Sequence, residues 1–153
     1  MELPFLSDED FFENCPPQTV CSVCGSNEIR PFMLVGDKYY WTCNVCKARI
    51  LSCKHWLSKE EEFKYYQTHQ NTSSDPAYQE FAAQLALPIL DKLVPNSSGL
   101  DFGCGPDSAL SAILIQHGHN MTVYDPFFFP AKNSLKKTYD FIVCSEAAEH
   151  FHQ

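Results

Sequence analysis

Hydrophobic positions change their spacing along this chain, and the changes divide it. Ile29-Arg30-Pro31-Phe32-Met33-Leu34-Val35 and Lys38-Tyr39-Tyr40-Trp41-Thr42, joined by Gly36-Asp37, predict a β-hairpin. Ser58-Lys59-Glu60-Glu61 is a capping box that predicts a helix running to about His69. Asn71-Thr72-Ser73-Ser74 is loop material, and Asp75 then caps a second helix with Pro76 in its first position. Tyr78, Phe81, Leu85, Ile89 and Leu93 give that helix one apolar face. Pro88 is expected to kink it, and Pro95-Asn96-Ser97-Ser98 ends it. Beyond residue 97 the pattern predicts strands over 99–102, 121–125 and 140–144, with helices over 108–117 and 146–152. The runs Met121-Thr122-Val123-Tyr124 and Phe141-Ile142-Val143-Cys144 have the apolar character of buried parallel strands. The expected class is α/β: a partial Rossmann-like, doubly wound parallel sheet preceded by a small β module.

The 153 residues suffice for one small and one medium domain, and 44% apolar content permits a packed core. The expected organisation is a tail over 1–14, a metal module over 15–56, a helical connector over 57–76 and an α/β domain from 77 to 153. Net charge is −8, against a broad nucleic-acid surface. Residues 15–54 alone carry +3, leaving −11 on the rest, so the small module could meet an anionic partner locally. No apolar run approaches the roughly 20 residues that span a bilayer. The first residues are acidic where a signal peptide is basic. A cytoplasmic, reducing location is expected, in which the eight cysteines serve as metal ligands and free thiols.

Cys21-Ser22-Val23-Cys24 and Cys43-Asn44-Val45-Cys46 are two CxxC pairs separated by 18 residues, with the hairpin between them. Four thiolates from two such turns close a tetrahedral site, and the arrangement predicts a zinc ribbon with Cys21, Cys24, Cys43 and Cys46 as ligands. A rubredoxin-like iron site is the competing metal, and four unligated core thiols are the metal-free alternative. With no position open for water, the metal is structural. About 40 residues cannot bury enough surface to fold unaided. Cys15, Cys53 and His55 are expected outside the set.

Gly99-Leu100-Asp101-Phe102-Gly103-Cys104-Gly105-Pro106 places an acid and two glycines between a strand and a helix. Such a turn is expected to present bare amides and a helix N-terminus to a ligand. Twenty residues beyond Gly105, Asp125 closes the next strand, where an acid can take both hydroxyls of a ribose. Loop and acid imply an adenosine-containing ligand. Ser145-Glu146 ends the third strand, so three strand termini converge on one crevice.

Asp101-Phe102-Gly103-Cys104-Gly105-Pro106 resembles motif I of class I S-adenosylmethionine (SAM)-dependent methyltransferases. Tyr139-Asp140-Phe141-Ile142-Val143-Cys144-Ser145-Glu146-Ala147-Ala148-Glu149-His150 resembles their fourth strand and its Glu-His continuation. The segment from Tyr65 to Tyr78, with the module before it, resembles a bacterial subgroup of these enzymes. The resemblance implies that the motif I backbone holds the methionine part of SAM, Asp101 supports its amino group and Asp125 binds the ribose. The expected cofactor contacts are Asp101, Gly103, Cys104, Gly105, Asp125, Pro126, Phe127 and Ser145. Phe127 and Phe128 could pack on adenine or simply fill the core. Glu146, Glu149 and His150 are the candidate bases near the reacting end, with Glu146 lining the acceptor pocket and Glu146 and His150 the expected catalytic residues; Glu149 and His150 are otherwise solvated surface groups of a helix. Tyr65, Tyr66 and His69 would cover SAM or pack their helix.

Asp107 stands where the family often has a third glycine; it would weaken cofactor binding, or Asp107 or Ser108 would cap the helix. The interval from Asp125 to Tyr139 is short, so a strand is expected to be lost. Family domains continue with about three more strands, which implies a C-terminally truncated form or a partner that covers the last strand, and doubtful competence for this chain alone. The methyl acceptor is RNA, a protein or a small molecule; large-subunit rRNA guanine methyltransferases also place a zinc module before such a domain. Two alternatives stand beside this reading: a nicotinamide-binding domain, since Gly103-x-Gly105-x-x-Ser108 nearly fits GxGxxG, and an RNA- or protein-docking ribbon on a non-catalytic body.

Overall fold

The structure is a computed structural model, and it describes residues 8–68 and 72–150. The chain forms two compact units, one within Met1–Glu62 and one within Phe63–His152.

In the first unit, β1 (Ile29–Val35), β2 (Lys38–Cys43) and β3 (Arg49–Leu51) form an antiparallel sheet in sequence order. The β1–β2 register shifts between Pro31 and Met33. A proline has no N–H for the ladder, so a bulge beside it is where the strand tolerates one. Trp41 faces Ile50 across β2 and β3, and both are buried. The acidic stretch near the N-terminus, read above as tail, contains helix α1 (Asp8–Asn14). Phe11 of α1 is buried with its ring edge on Tyr39 at 5.1 Å and on Trp41 at 5.3 Å. Lys54 Nζ donates to the Asn14 carbonyl at 2.7 Å, closing the C-terminal end of α1. Cys15 follows into the same core, its Sγ 3.0 Å from Ser52 Oγ.

Helix α2 (Lys59–Gln67) starts at the expected capping box: Glu61 Oε2 accepts from the Ser58 amide at 2.9 Å, and Ser58 Oγ accepts from the Glu61 amide at 3.3 Å. His69 lies outside the described residues. Helix α3 (Pro76–Leu90) is capped by Asp75, whose Oδ1 accepts from the Ala77 amide at 2.9 Å, and it continues through Pro88 in its last turn. Its packed face is the predicted one only at Tyr78, Ile89 and Leu93. Ala82 and Ala86 are buried, with Tyr78, Ile89 and Leu93 beside them, while Phe81 and Leu85 are exposed. Small side chains let α3 approach α4 (Ala109–Gln116) closely, which a count of large apolar residues does not register.

Strands β4 (Ser98–Phe102), β5 (Asn120–Tyr124) and β6 (Phe141–Val143) form a parallel sheet in the order β5-β4-β6. Leu100 lies opposite Thr122 on one side and Ile142 on the other. The chain leaves β4 for one neighbour and later returns to its other side. That reversal makes the carboxyl end of β4 a topological switch point, where open α/β sheets bind ligands. Ala109, Leu110 and Leu114 of α4 share a core with Val143 of β6, and Met121 and Phe141 pack against it. The helix predicted from residue 146 does not begin there: Glu146 has φ +53°, and a single 3-10 turn occupies Ala148–His150. Residues 151–153 lie outside the described ones.

Candidate cofactor crevice and metal centre

In the first unit, the Sγ atoms of Cys21, Cys24, Cys43 and Cys46 all lie within 4.8 Å of one another. The two pairs interlock: Cys21 Sγ is 3.6 Å from Cys46 Sγ, and Cys24 Sγ is 3.7 Å from Cys43 Sγ. A tetrahedral zinc with bonds of about 2.3 Å sets its sulfurs about 3.8 Å apart, so the donor set fits that ion. Both turns are built alike. The amides of Gly25 and Lys47 donate to the carbonyls of Cys21 and Cys43, while the amides of Cys21 and Cys43 donate to the carbonyls of Ser26 and Ala48. Gly25 and Lys47 both take positive φ, at +72° and +63°. The amides of Cys46 and Val45 point at Cys43 and hold its thiol down to about 6. Cys46 receives the Ala48 amide, yet burial and its three thiol neighbours push it up to about 12. Thiolates this close oppose one another's ionisation, and a cation among them would relieve that repulsion. Cys15, Cys53 and His55 stand apart from this cluster; His55 Nε2 instead accepts from the Tyr39 amide at 3.2 Å.

In the second unit, the loop after β4 meets the loops after both neighbours. Gly103 takes φ +76°, and a Cβ built on it would sit 2.4 Å from the Ala147 Cβ, so the loop after β6 lies directly against the glycine turn. Gly105 takes φ +68° and has no neighbour within 4 Å of an added Cβ; its backbone demands glycine while its outer side is open. The Gly105 amide donates to Asp125 Oδ2 at 3.1 Å. Asp125 is buried, and its Oδ1 accepts from the amides of Phe127 at 2.8 Å and Phe128 at 3.0 Å. The turn is closed by reciprocal backbone bonds between Asp125 and Phe129.

One expectation fails here. The amides after residue 102 are not bare: Gly103 and Cys104 both donate to the Tyr124 carbonyl, Gly105 donates to Asp125, and Pro106 has no N–H. The turn is stitched to β5, because a tight bend beside a parallel strand finds that strand's last carbonyl before any ligand. Charge, rather than free donors, marks the carboxyl ends of the strands. Asp101 is buried at the end of β4, and its Oδ2 accepts from Ser108 Oγ at 2.5 Å and Ser111 Oγ at 2.8 Å. Burial raises its pKa, the two serines oppose that, and the Asp125 charge adds to it. Burial, with the Asp101 and Asp125 charges, pushes the Cys104 thiol up to about 12. Burial and then the Asp101 and Asp107 charges raise Tyr78, and burial and then Glu149 and Asp101 raise Cys144. The carboxyl ends of the strands thus share one negative field.

Ser108 is the cap of α4, its Oγ accepting from the Ser111 amide at 2.9 Å, while Asp107 Oδ2 accepts from the Ser73 amide at 2.7 Å. Ser145 is half-buried after β6, and Pro126 and Glu146 are exposed. His150 is exposed, its Nε2 3.7 Å from Glu149 Oε1, and its ring meets Tyr66 edge-on at 5.8 Å. Tyr66 also contacts Phe127, and Phe63 stacks on Phe127 at 5.5 Å. Sequence reasoning did not foresee Ser111, Ala147 or Phe63. Ser111 was legible in principle, as the polar residue one turn after the cap in an otherwise apolar helix.

A parallel sheet with a glycine turn and two buried acids at its switch point defines an α/β fold of partial Rossmann-like form. Residues 74–153, just over half of the chain, match the model of the methyltransferase domain family, and the chain belongs to that family. Membership implies SAM as methyl donor. A comparison with curated proteins returns no match. No helix among the described residues is long and apolar enough to cross a membrane.

Proposed function

We propose that this chain binds SAM at the carboxyl ends of β4, β5 and β6 as part of a class I methyltransferase whose acceptor is RNA, a protein or a small molecule. The observation that carries this reading is the pairing of buried Asp101 and Asp125 with a glycine turn whose amides are already bonded. A dinucleotide's pyrophosphate needs free N–H groups and repels carboxylates. SAM carries an ammonium and a sulfonium against a single carboxylate, a net positive charge that two acids attract, and a ribose, whose hydroxyls donate to them. The same comparison disfavours the nicotinamide reading.

Bound SAM supplies an electrophilic methyl group on sulfur. Asp125 would accept from the ribose hydroxyls, its position already fixed by three amides. Asp101 would accept from the amino group, with Ser108 and Ser111 holding its other side through Oδ2. Gly103, Cys104 and Gly105 would line the methionine part, and Pro126, Phe127 and Ser145 the flanks. Glu146 is held in the left-handed region at the tip of β6, a conformation that costs on the order of 1 kcal/mol and concentrates at working sites. It would face the acceptor, with His150 available to take a proton where the acceptor must lose one. Zinc at Cys21, Cys24, Cys43 and Cys46 would be structural, making a zinc ribbon of the first unit. The location is cytoplasmic, where those thiols stay reduced.

A thermal-shift assay separates the readings. S-adenosylhomocysteine at 100 times its Kd should stabilise the chain by about 2.7 kcal/mol, and NADH should not. Stabilisation by NADH alone would overturn the assignment.

A further inference from the structure

Three loops build the crevice, and one aromatic side chain from outside the sheet touches two of them. Tyr66 of α2 lies 5.9 Å from the Phe127 ring, in the turn organised by Asp125, and 5.8 Å from the His150 imidazole, in the turn after β6. The His150 contact is edge-on at 86°, and the Phe127 contact is tilted at 48°. Phe63, one helical turn earlier, makes further ring contacts with the same turn, at 5.5 Å to Phe127 and 5.9 Å to Phe128. Phe127 is thus pinned by two rings of α2, while the exposed His150 contacts Tyr66 and the exposed Glu149. An exposed imidazole on a single 3-10 turn has many rotamers, and an aromatic edge contact selects among them.

We propose that Tyr66 is a positioning residue that couples the cofactor side of the crevice to its acceptor side. Its ring fixes Phe127 beside the carboxylate of Asp125 and fixes the imidazole of His150 beside the tip of β6. The inference rests on the methyltransferase reading. It adds that α2, which precedes the sheet in sequence, sets the geometry of two of the three loops. Ring contact carries the effect, so phenylalanine at position 66 should preserve it and aliphatic residues should not.

The test uses the full chain with its metal bound, and the variants Tyr66→Phe, Tyr66→Leu and Tyr66→Ala. The His150 imidazole resonance is assigned by comparison with His150→Gln and recorded without ligand, and S-adenosylhomocysteine affinity is measured by calorimetry. Loss of an aromatic pair is expected to weaken ligand binding by about two- to tenfold in Tyr66→Leu and Tyr66→Ala. The His150 resonance should lose its ring-current displacement in the same two variants, and Tyr66→Phe should restore both readouts. Leucine keeps most of the volume, so it separates positioning from collapse of the packing. An unmoved His150 resonance in Tyr66→Leu overturns the proposal, as does unchanged affinity in both aliphatic variants. Failure of the wild type to bind S-adenosylhomocysteine overturns the methyltransferase reading and this coupling with it; the ligand-free resonance then still tells whether the ring contact exists.

Discussion

An alanine at position 103 measures how tightly the loops after β4 and β6 close on the switch point. Two costs add there. An L-residue at φ +76° costs about 1–2 kcal/mol. The new methyl would stand 2.4 Å from the Ala147 Cβ, an overlap that must be relieved at about 1–3 kcal/mol. Gly103→Ala should therefore destabilise the second unit by about 2–5 kcal/mol. Gly105→Ala is the internal control: its φ is +68° but no atom lies within 4 Å of the added Cβ, so only about 1–2 kcal/mol is expected. Ala147→Gly removes the clashing methyl and leaves the Ala147 Cα position at 3.8 Å, an ordinary contact. Alone it should cost about 1 kcal/mol. Combined with Gly103→Ala it should recover about 1–3 kcal/mol, a coupling that independent sites do not show. Both tryptophans lie in the first unit, so native-state hydrogen exchange of the β4 and β5 amides is the suitable assay. Equal costs for the two glycine variants, with no recovery in the double variant, would falsify the loop contact.

Three further outcomes follow from the same geometry. Asp125→Asn sets an amide nitrogen against donors that now reach a carboxylate, and should cost about 1–3 kcal/mol in the hydrogen-exchange assay; an unchanged opening energy contradicts the three-amide clamp. Asp101 has its folded pKa raised, chiefly by burial, so the folded state binds the extra proton and stability falls as pH rises from the ordinary aspartate value of 3.8 through the folded-state titration. Asp101→Asn, which still accepts from Ser108 and Ser111, should flatten that dependence while weakening S-adenosylhomocysteine binding; a pH profile identical to wild type contradicts it. Stripping the zinc proposed for the four cysteines with a strong chelator should remove on the order of 10 kcal/mol of folding energy from the first unit, and Cys24→Ser a part of it. The emission of Trp41, buried against Phe11, should then shift to longer wavelength, and an unmoved spectrum in metal-free protein contradicts a structural ion.

The parallel strands, both helix caps and the two CxxC pairs were legible because each depends on residues close in sequence: Ser58 with Glu61, Asp75 with Pro76, Cys21 with Cys24. Asp101 and Asp125 were legible as acids at strand ends, and the structure sets Asp125 against the glycine turn. What escaped depends on tertiary contact. Phe11 belongs to an acidic stretch with no periodic signal, and it becomes core through contacts distant in sequence, Tyr39 and Trp41 among them. Alanines on α3 are invisible to a search for large apolar residues, yet they define its packed face. The glycine turn looked like a donor of free amides because sequence shows the glycines but not the Tyr124 carbonyl that takes two of those hydrogens. A helix was expected over 146–152; instead Ala147 packs on Gly103, and Glu146 turns left-handed.

Calorimetric titration of the full chain with S-adenosylhomocysteine, beside Asp125→Asn, tests the central assignment most directly. The account predicts saturable heat with one ligand per chain in the wild type and at least tenfold weaker affinity in the variant, a loss of about 1.4 kcal/mol or more. No saturable heat in the wild type, or equal affinity in the two proteins, contradicts it.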